Sequence, residues 1–169
     1  MTTQSLTGER ADLVQTLGTH RAFLRFTVRG LTDEQATSRP TASALTLAGL
    51  IKHVAHTEAA WARFAQGRPM AEGSQEDQAA AWAAEWQLAP GETLAGVLAE
   101  YEEVARRTDD LVATLDLDAS YPLPEAPWFE PGAVRSVRRV FLHLVAETAQ
   151  HAGHADILRE SIDGQKTMG

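Results

Sequence analysis

The chain has 169 residues, of which 44% are hydrophobic and 22% charged, a composition ordinary for a soluble globular protein large enough to bury a core. Its net charge of −8 argues against nucleic acid or an anionic membrane surface as a partner. The sequence contains no cysteine, which excludes a disulfide framework, a cysteine-ligated zinc site and a thiol nucleophile.

Hydrophobic periodicity predicts two long helices in the first half of the chain. The first spans about residues 5–29 and stops at Gly30. A connection rich in Thr, Ser and Pro leads to the second, which begins near Thr46 as N-cap and runs to Gly67. The acidic segment that follows, up to Pro90, is rich in Ala and Trp and is expected to hold short helical pieces.

Two further long helices are predicted in the second half. The third follows Pro90, and its expected buried stripe is Leu94, Leu98 (or Val97), Tyr101, Val104, Thr108 and Leu111. A Pro-rich loop, 116–132, exceeds the usual connection length and suggests a functional loop or a lid. The last helix spans about 133–162 and closes at Gly164. No alternating pattern predicts a strand, so we expect an all-α four-helix bundle with long connections, formed by residues 1–169 as one domain.

The last helix carries an unusual polar pattern, HLVAETAQHAGHADILRE. His143, Glu147, His151 and His154 recur in it at spacings of four, four and three. At about 100° per residue, its apolar positions share one face. These are Val140, Leu144, Thr148, Ala155, Leu158 and Ile162. His151 lies within that face and Glu147 at its margin, whereas His143 and His154 lie towards the rim.

A divalent cation would explain why an acid and an imidazole point into a bundle, since each is costly there alone. Residues four apart on a helix can bind one metal together. In the second helix, LIKHVAH places His53 at the edge of the core face and His56 about 60° further out. His53, Glu147 and His151 are therefore the predicted ligands, and three protein ligands are typical of a catalytic site. Zinc is the first choice; nickel, iron or manganese would also fit.

An alternative interpretation is that His53, Glu147 and His151 form a buried polar network without metal. Three further groups of residues are also assigned structural rather than functional roles. His143, His154 and His56 are read as rim residues and His20 as surface; Trp61, Trp82, Trp86 and Trp128 as packing residues; and Glu58 and Arg159 as partners in helix-surface salt bridges.

The segments GLTDEQATSRPTASALTLAGLIKHVAHTEAAW and ETAQHAGHADILRE resemble the DinB-like superfamily of metal-binding four-helix bundles. They look most like the actinobacterial branch similar to the metal-binding domain of mycothiol-dependent maleylpyruvate isomerase. The resemblance covers nearly the whole chain and implies an up-down-down-up bundle, with its long connection between the second and third helices. It also implies a homodimer and a divalent metal held by His53, Glu147 and His151.

The resemblance further implies an enzyme that activates a low-molecular-weight thiol, mycothiol or similar, for attack on a small-molecule electrophile, in the style of a mycothiol S-transferase or isomerase. The alternatives are a metal-assisted hydrolase at the same site and a non-catalytic, stress-associated metal-binding dimer. The N-terminus lacks a basic stretch followed by an apolar one, and no apolar run approaches about 18 residues. We therefore predict a cytoplasmic protein with no membrane partner.

Overall fold

The computed structural model describes residues 6–71, 73–74, 76, 84–127 and 129–167. The helices are α1 (Glu9–Phe26), α2 (Asp33–Thr37), α3 (Leu47–Ala65), α4 (Leu94–Thr114) and α5 (Val137–Asp163), and the strands are β1 (Ser120–Pro122) and β2 (Val134–Ser136). The four long helices confirm the all-α prediction. Among the described residues, no helix is long and apolar enough to cross a membrane.

The ends of the long helices are set by local side-chain chemistry. Thr46, Thr93 and Ser136 each accept a hydrogen bond from a backbone amide in the first turn of α3, α4 and α5 respectively. Such N-caps satisfy amide groups that have no partner within the helix. Gly164 ends α5 with a φ of +77°, a left-handed conformation that glycine adopts without strain. The predicted cap at Thr46 and the predicted stop at Gly164 are both confirmed.

Helices α1 and α5 run parallel. At their first turns the Arg138 guanidinium lies 2.6 Å from a carboxylate oxygen of Glu9. At their far ends Arg159 donates a 2.8 Å hydrogen bond to the carbonyl of Thr27. Contacts that join start to start and end to end fix the two helices in the same direction.

Helix α4 runs opposite to α1. Arg10, near the start of α1, donates to the carbonyl of Leu115 at the end of α4, at 2.8 Å. Arg25, near the end of α1, lies 2.9 Å from Glu102 in the first half of α4. The pairing of start with end requires an antiparallel arrangement.

Helices α3 and α4 are parallel neighbours. Lys52 forms a 2.7 Å ion pair with Glu92, just before α4, and His56 lies 3.7 Å from Glu100, six residues after the start of α4. Because α3 therefore runs with α4 and against α1 and α5, the order is up-down-down-up. The long connection, 66–93, joins α3 to α4, as the resemblance implied.

Two details of the predicted helices were wrong. The buried stripe of α4 is Leu94, Val97, Tyr101, Ala105, Thr108 and Val112, so Val97 is correct but Val104 and Leu111 are only half-buried. Helix α5 begins at Val137 rather than near residue 133, because Val134–Ser136 pairs antiparallel with Ser120–Pro122. Strands of three residues are too short to leave an alternating pattern in the sequence.

The salt bridges predicted for Glu58 and Arg159 are present, with Arg21 and Asp163 respectively, but their predicted surface location was wrong, since Glu58 and Arg159 are both buried. Glu58 is fully buried in α3 and accepts hydrogen bonds from Arg21 of α1, at 2.5 and 3.1 Å. Arg21 also reaches Asp109 of α4 at 2.8 Å. This polar group ties three helices together, and its burial depends on partners distant in the sequence.

Candidate metal centre

The three predicted ligands meet in space. His53 on α3 and Glu147 and His151 on α5 each offer one donor atom, and these atoms lie within 4.8 Å of one another. The Nε2 atoms of His53 and His151 lie 3.4 and 3.1 Å from the same carboxylate oxygen, Oε1 of Glu147. The cluster exists because Glu147 and His151 are one helical turn apart while antiparallel α3 brings His53 alongside them.

Two of the three donor spacings fit a zinc-sized cation. Ligands bound tetrahedrally at about 2.0–2.1 Å stand about 3.3–3.4 Å apart, and the two spacings to Glu147 are 3.1 and 3.4 Å. Two imidazole nitrogens and one carboxylate oxygen are donors that suit zinc, iron or nickel. The Glu147 side chain is the most accessible of the three, 21% exposed, so the cluster opens towards solvent on its side.

The electrostatics of the cluster favour a cation. Hydrogen bonds with His151 and His53 hold the pKa of Glu147 well below its usual range, although burial opposes this, so the carboxylate remains ionised. Burial by itself would lower the pKa of His53, but the carboxylates of Glu147 and Glu85 raise it. Two carboxylates around one buried imidazole make a site of negative charge, which favours the binding of a cation.

Glu85 and Trp86 complete the surroundings of His53, and the sequence did not single them out as site residues. Oε2 of Glu85 lies 3.4 Å from Nδ1 of His53, on the side of the ring that faces away from Glu147. The Trp86 ring is stacked on the His53 ring with centroids 3.9 Å apart. A carboxylate on the second nitrogen of a ligating histidine fixes its tautomer and orientation. The long connection therefore supplies the residues that hold His53 in place.

The connection approaches α3 closely at Gly49. A Cβ atom there would lie 2.0 Å from the Trp86 carbonyl oxygen, so Gly49→Ala should displace Trp86 and the neighbouring Glu85. We expect a loss of about 10- to 100-fold in zinc affinity, the range typical when a residue supporting a ligand is removed. Competition titration with a chromophoric chelator measures this.

Gly96→Ala is the matched control for this prediction. Gly96 follows its N-cap Thr93 as Gly49 follows Thr46, but its Cβ would meet only the Thr93 hydroxyl, at 3.3 Å. It should therefore leave zinc affinity unchanged. Equal affinities for wild type and Gly49→Ala would mean that the Trp86 segment does not support His53.

The remaining histidines lie around the cluster without joining it. Nδ1 of His154 is 3.4 Å from Nδ1 of His151, where it can orient that ring. His56 is partly exposed and lies 3.6 Å from Glu85. Among the described residues, the three-donor group contains neither of these histidines, nor His143. His20 is half-buried on α1 beside Phe23 and also lies outside the group.

One side of the cluster is bordered by aromatic side chains. The rings of His143 and Trp61 make an edge contact at 4.8 Å, and His143 lies one turn from Glu147. The guanidinium of Arg135 lies over the Trp61 ring and against Phe129 of the 116–132 loop. Trp61 and Trp86 thus pack as predicted, Trp86 against the candidate ligand His53 and Trp61 against the neighbouring His143. Trp82 and Trp128 lie outside the described residues.

A comparison with protein families identifies the chain. The family model described as mycothiol S-transferase matches residues 12–164. The chain belongs to the mycothiol S-transferase family. This confirms the DinB-like resemblance inferred from the α3 and α5 motifs.

A solved structure supports the fold of this mycothiol S-transferase family member. A conserved protein from Enterococcus faecalis superposes with a TM-score of 0.66 over 95% of this chain and 100% of its own, at 12% sequence identity. At that identity the likeness establishes the fold alone. A comparison with curated protein sequences finds no significant match.

Proposed function

We propose that this protein is a metal-dependent S-transferase that joins a low-molecular-weight thiol, mycothiol or a close equivalent, to a small electrophile. The observation that carries the proposal is the meeting of three donor atoms, from His53, Glu147 and His151, in a chain of the mycothiol S-transferase family. Three protein ligands leave a coordination position for a substrate, whereas structural zinc sites commonly use four. Since the chain has no cysteine, the sulfur must come from a cosubstrate.

Each residue of the centre has a distinct part in this proposal. His53, Glu147 and His151 would hold a divalent cation, with zinc the first choice. Such a cation, when bound, would lower the pKa of a thiol so that it is present as thiolate near neutral pH. Glu85 orients His53, and Trp86 covers the ring and limits the access of water.

The transfer forms one bond and breaks another. The thiolate sulfur attacks the electrophilic carbon, a sulfur–carbon bond forms, and the leaving group departs with its electron pair. The proton released from the thiol can pass to His143, whose half-buried ring lies one turn from Glu147. Burial, opposed by the charge of Glu147 and assisted by Arg135 and Arg139, lowers the pKa of His143, so its imidazole is neutral at pH 7.

A direct test is mycothiol consumption with iodoacetamide, where iodide is the leaving group. Iodoacetamide finds no thiol on the protein itself because the chain lacks cysteine. Zinc-loaded protein should accelerate the loss of mycothiol above the uncatalysed rate, chelator-treated protein should not, and added zinc should restore the rate. Nickel, iron and manganese are compared in the same assay.

Two other outcomes would replace the proposal. If metal-loaded protein leaves mycothiol untouched but hydrolyses 4-nitrophenyl acetate, the site is that of a metal-assisted hydrolase. If it binds metal and does neither, it is a non-catalytic metal-binding module.

We also propose that the protein forms a homodimer in the cytoplasm, where small thiols are kept reduced. The outward face of α5 supports the dimer, because Leu142 and Ile157 are 50% and 62% exposed there. Wild type should sediment as a dimer and Leu142→Glu/Ile157→Lys as a monomer. A monomeric wild type at micromolar concentration would refute the dimer.

A further inference from the structure

Arg135 is held between two aromatic rings. Its guanidinium carbon lies 4.9 Å from the Trp61 ring centroid and 5.3 Å from that of Phe129. Nη1 is buried and has no hydrogen-bond partner among the residues that the structure describes. Within the described part of the chain, no acidic side chain contributes to the pKa of Arg135, although the sequence contains 23 acidic residues against 15 basic ones. A buried guanidinium nitrogen with no acceptor is costly, so its retention calls for an explanation.

The charge around Arg135 is unbalanced. Burial and the nearby Arg139 lower its pKa, and no acidic group acts in the opposite direction. Its ordinary pKa lies so far above 7 that the side chain is still charged. The rings of Trp61 and Phe129 fix the orientation of the Arg135 guanidinium. A guanidinium fixed in this way presents paired N–H donors that match the two oxygens of a carboxylate.

Arg135 lies on the same side of the bundle as the candidate metal centre. The Trp61 ring contacts both Arg135 and His143, and His143 is one turn from Glu147 on α5. Arg135 comes two residues before Val137, and the axis of α5 advances about 15 Å from Val137 to Glu147. The Arg135 guanidinium lies over Trp61, and its charge lowers the pKa of His143, so it is close to the histidine that lies one turn from Glu147.

We propose that Arg135 is an anion-recognition residue, which binds a carboxylate or similar oxyanion carried by the electrophile at the end remote from the reacting atoms. The assignment of the anion to a substrate rests on the proposed S-transferase function. The two aromatic rings hold the guanidinium in place, and a ligand oxyanion supplies the acceptor that the protein does not. Arg135 would then decide which substrates are accepted, while the metal ligands decide the chemistry.

The test compares two electrophiles with the same reactive group. These are 4-(iodoacetamido)benzoate and the neutral 4-(iodoacetamido)benzamide, with mycothiol as the thiol and zinc-loaded protein as the catalyst. Wild type should prefer the benzoate in kcat/KM, and Arg135→Gln should reduce that preference by about 10- to 100-fold, the worth of a hydrogen-bonded charge. Its kcat/KM for the benzamide should fall much less than that for the benzoate, a split between the two electrophiles that a merely structural role for Arg135 would not predict.

Arg139→Gln is the matched control, since Arg139 carries the same charge nearby but is exposed. Arg139→Gln should keep the preference for the benzoate. If it loses as much of this preference as Arg135→Gln does, the effect comes from long-range electrostatics, and direct recognition by Arg135 is overturned. Arg135→Lys keeps the charge and replaces Arg135→Gln if that variant does not fold; it should lose most of the preference because it lacks the paired donors. If Arg135→Gln instead raises the KM for mycothiol equally with both electrophiles, Arg135 contacts the thiol substrate, and recognition of an anion on the electrophile is overturned.

The proposal can also be separated from the S-transferase function. If wild type transfers mycothiol to neither electrophile, the proposed function fails, and calorimetry with unreactive 4-acetamidobenzoate still tests Arg135. Tighter binding of this carboxylate than of 4-acetamidobenzamide, lost in Arg135→Gln, supports anion recognition. Equal binding of the two compounds by wild type overturns it.

Discussion

The His53→Ala/His151→Ala double variant is expected to contain almost no metal, whereas wild-type protein should bind about one equivalent of zinc. The physical reason is the loss of two of three donors from the group whose atoms lie within 4.8 Å of one another. The one remaining ligand, the Glu147 carboxylate, binds a transition-metal ion too weakly to compete with its hydration by water. Thiol transfer should fall to the uncatalysed rate in the same variant.

Elemental analysis of protein purified without a histidine tag measures this directly. His20→Ala and His56→Ala are the controls, because both remove an imidazole that lies outside the three-donor group and should leave the metal content unchanged. Metal retained by the double variant would place the site elsewhere. A wild type that takes up no zinc, nickel or iron would leave a bundle with a buried polar network.

The Arg21→Ala variant is expected to lose about 3–5 kcal/mol of stability, the range found when one partner of a buried ion pair is removed. Arg21 is 5% exposed and Glu58 is fully buried, so the substitution leaves a buried carboxylate without its counter-charge. Hydrogen bonds with Glu58 and Asp109 raise the pKa of Arg21 in spite of its burial, which reflects how strongly the charged form is held. Urea denaturation followed by circular dichroism measures the change.

Two further variants test the cause of this loss. Arg21→Met/Glu58→Leu removes both charges and should recover most of the stability, because an apolar pair no longer leaves a buried charge. Arg106→Ala breaks only exposed ion pairs on α4, with Glu103 and Asp110, and should have little measurable effect. A loss in Arg21→Ala no greater than in Arg106→Ala would contradict the structural role of the buried pair.

The long helices and the three-donor group could be predicted because their signals are local. Glu147 and His151 are four apart in one helix, so periodicity alone places them on one face. His53 could be added because a bundle completes such a site from a facing helix, and its own periodicity put it near the core. The direction of the helices came from the resemblance to a known family, since periodicity does not encode the order in which helices pack.

The parts that the sequence did not reveal depend on contacts between distant segments. Glu85 and Trp86 lie in a connection without clear periodicity and are brought to His53 by the close approach at Gly49. The burial of Glu58 could not be predicted without knowing that Arg21 would face it from another helix. Arg135 lies in a three-residue strand, where no pattern distinguishes it from a surface arginine.

X-ray absorption at the zinc edge, with and without mycothiol, tests most directly whether a substrate sulfur reaches a metal held by His53, Glu147 and His151. Without thiol, we expect only nitrogen and oxygen neighbours at about 2.0–2.2 Å. With mycothiol, one sulfur neighbour should appear at about 2.3 Å, and it should be absent when zinc and thiol are mixed with the His53→Ala/His151→Ala variant. A spectrum that mycothiol does not change would contradict thiol activation at this centre.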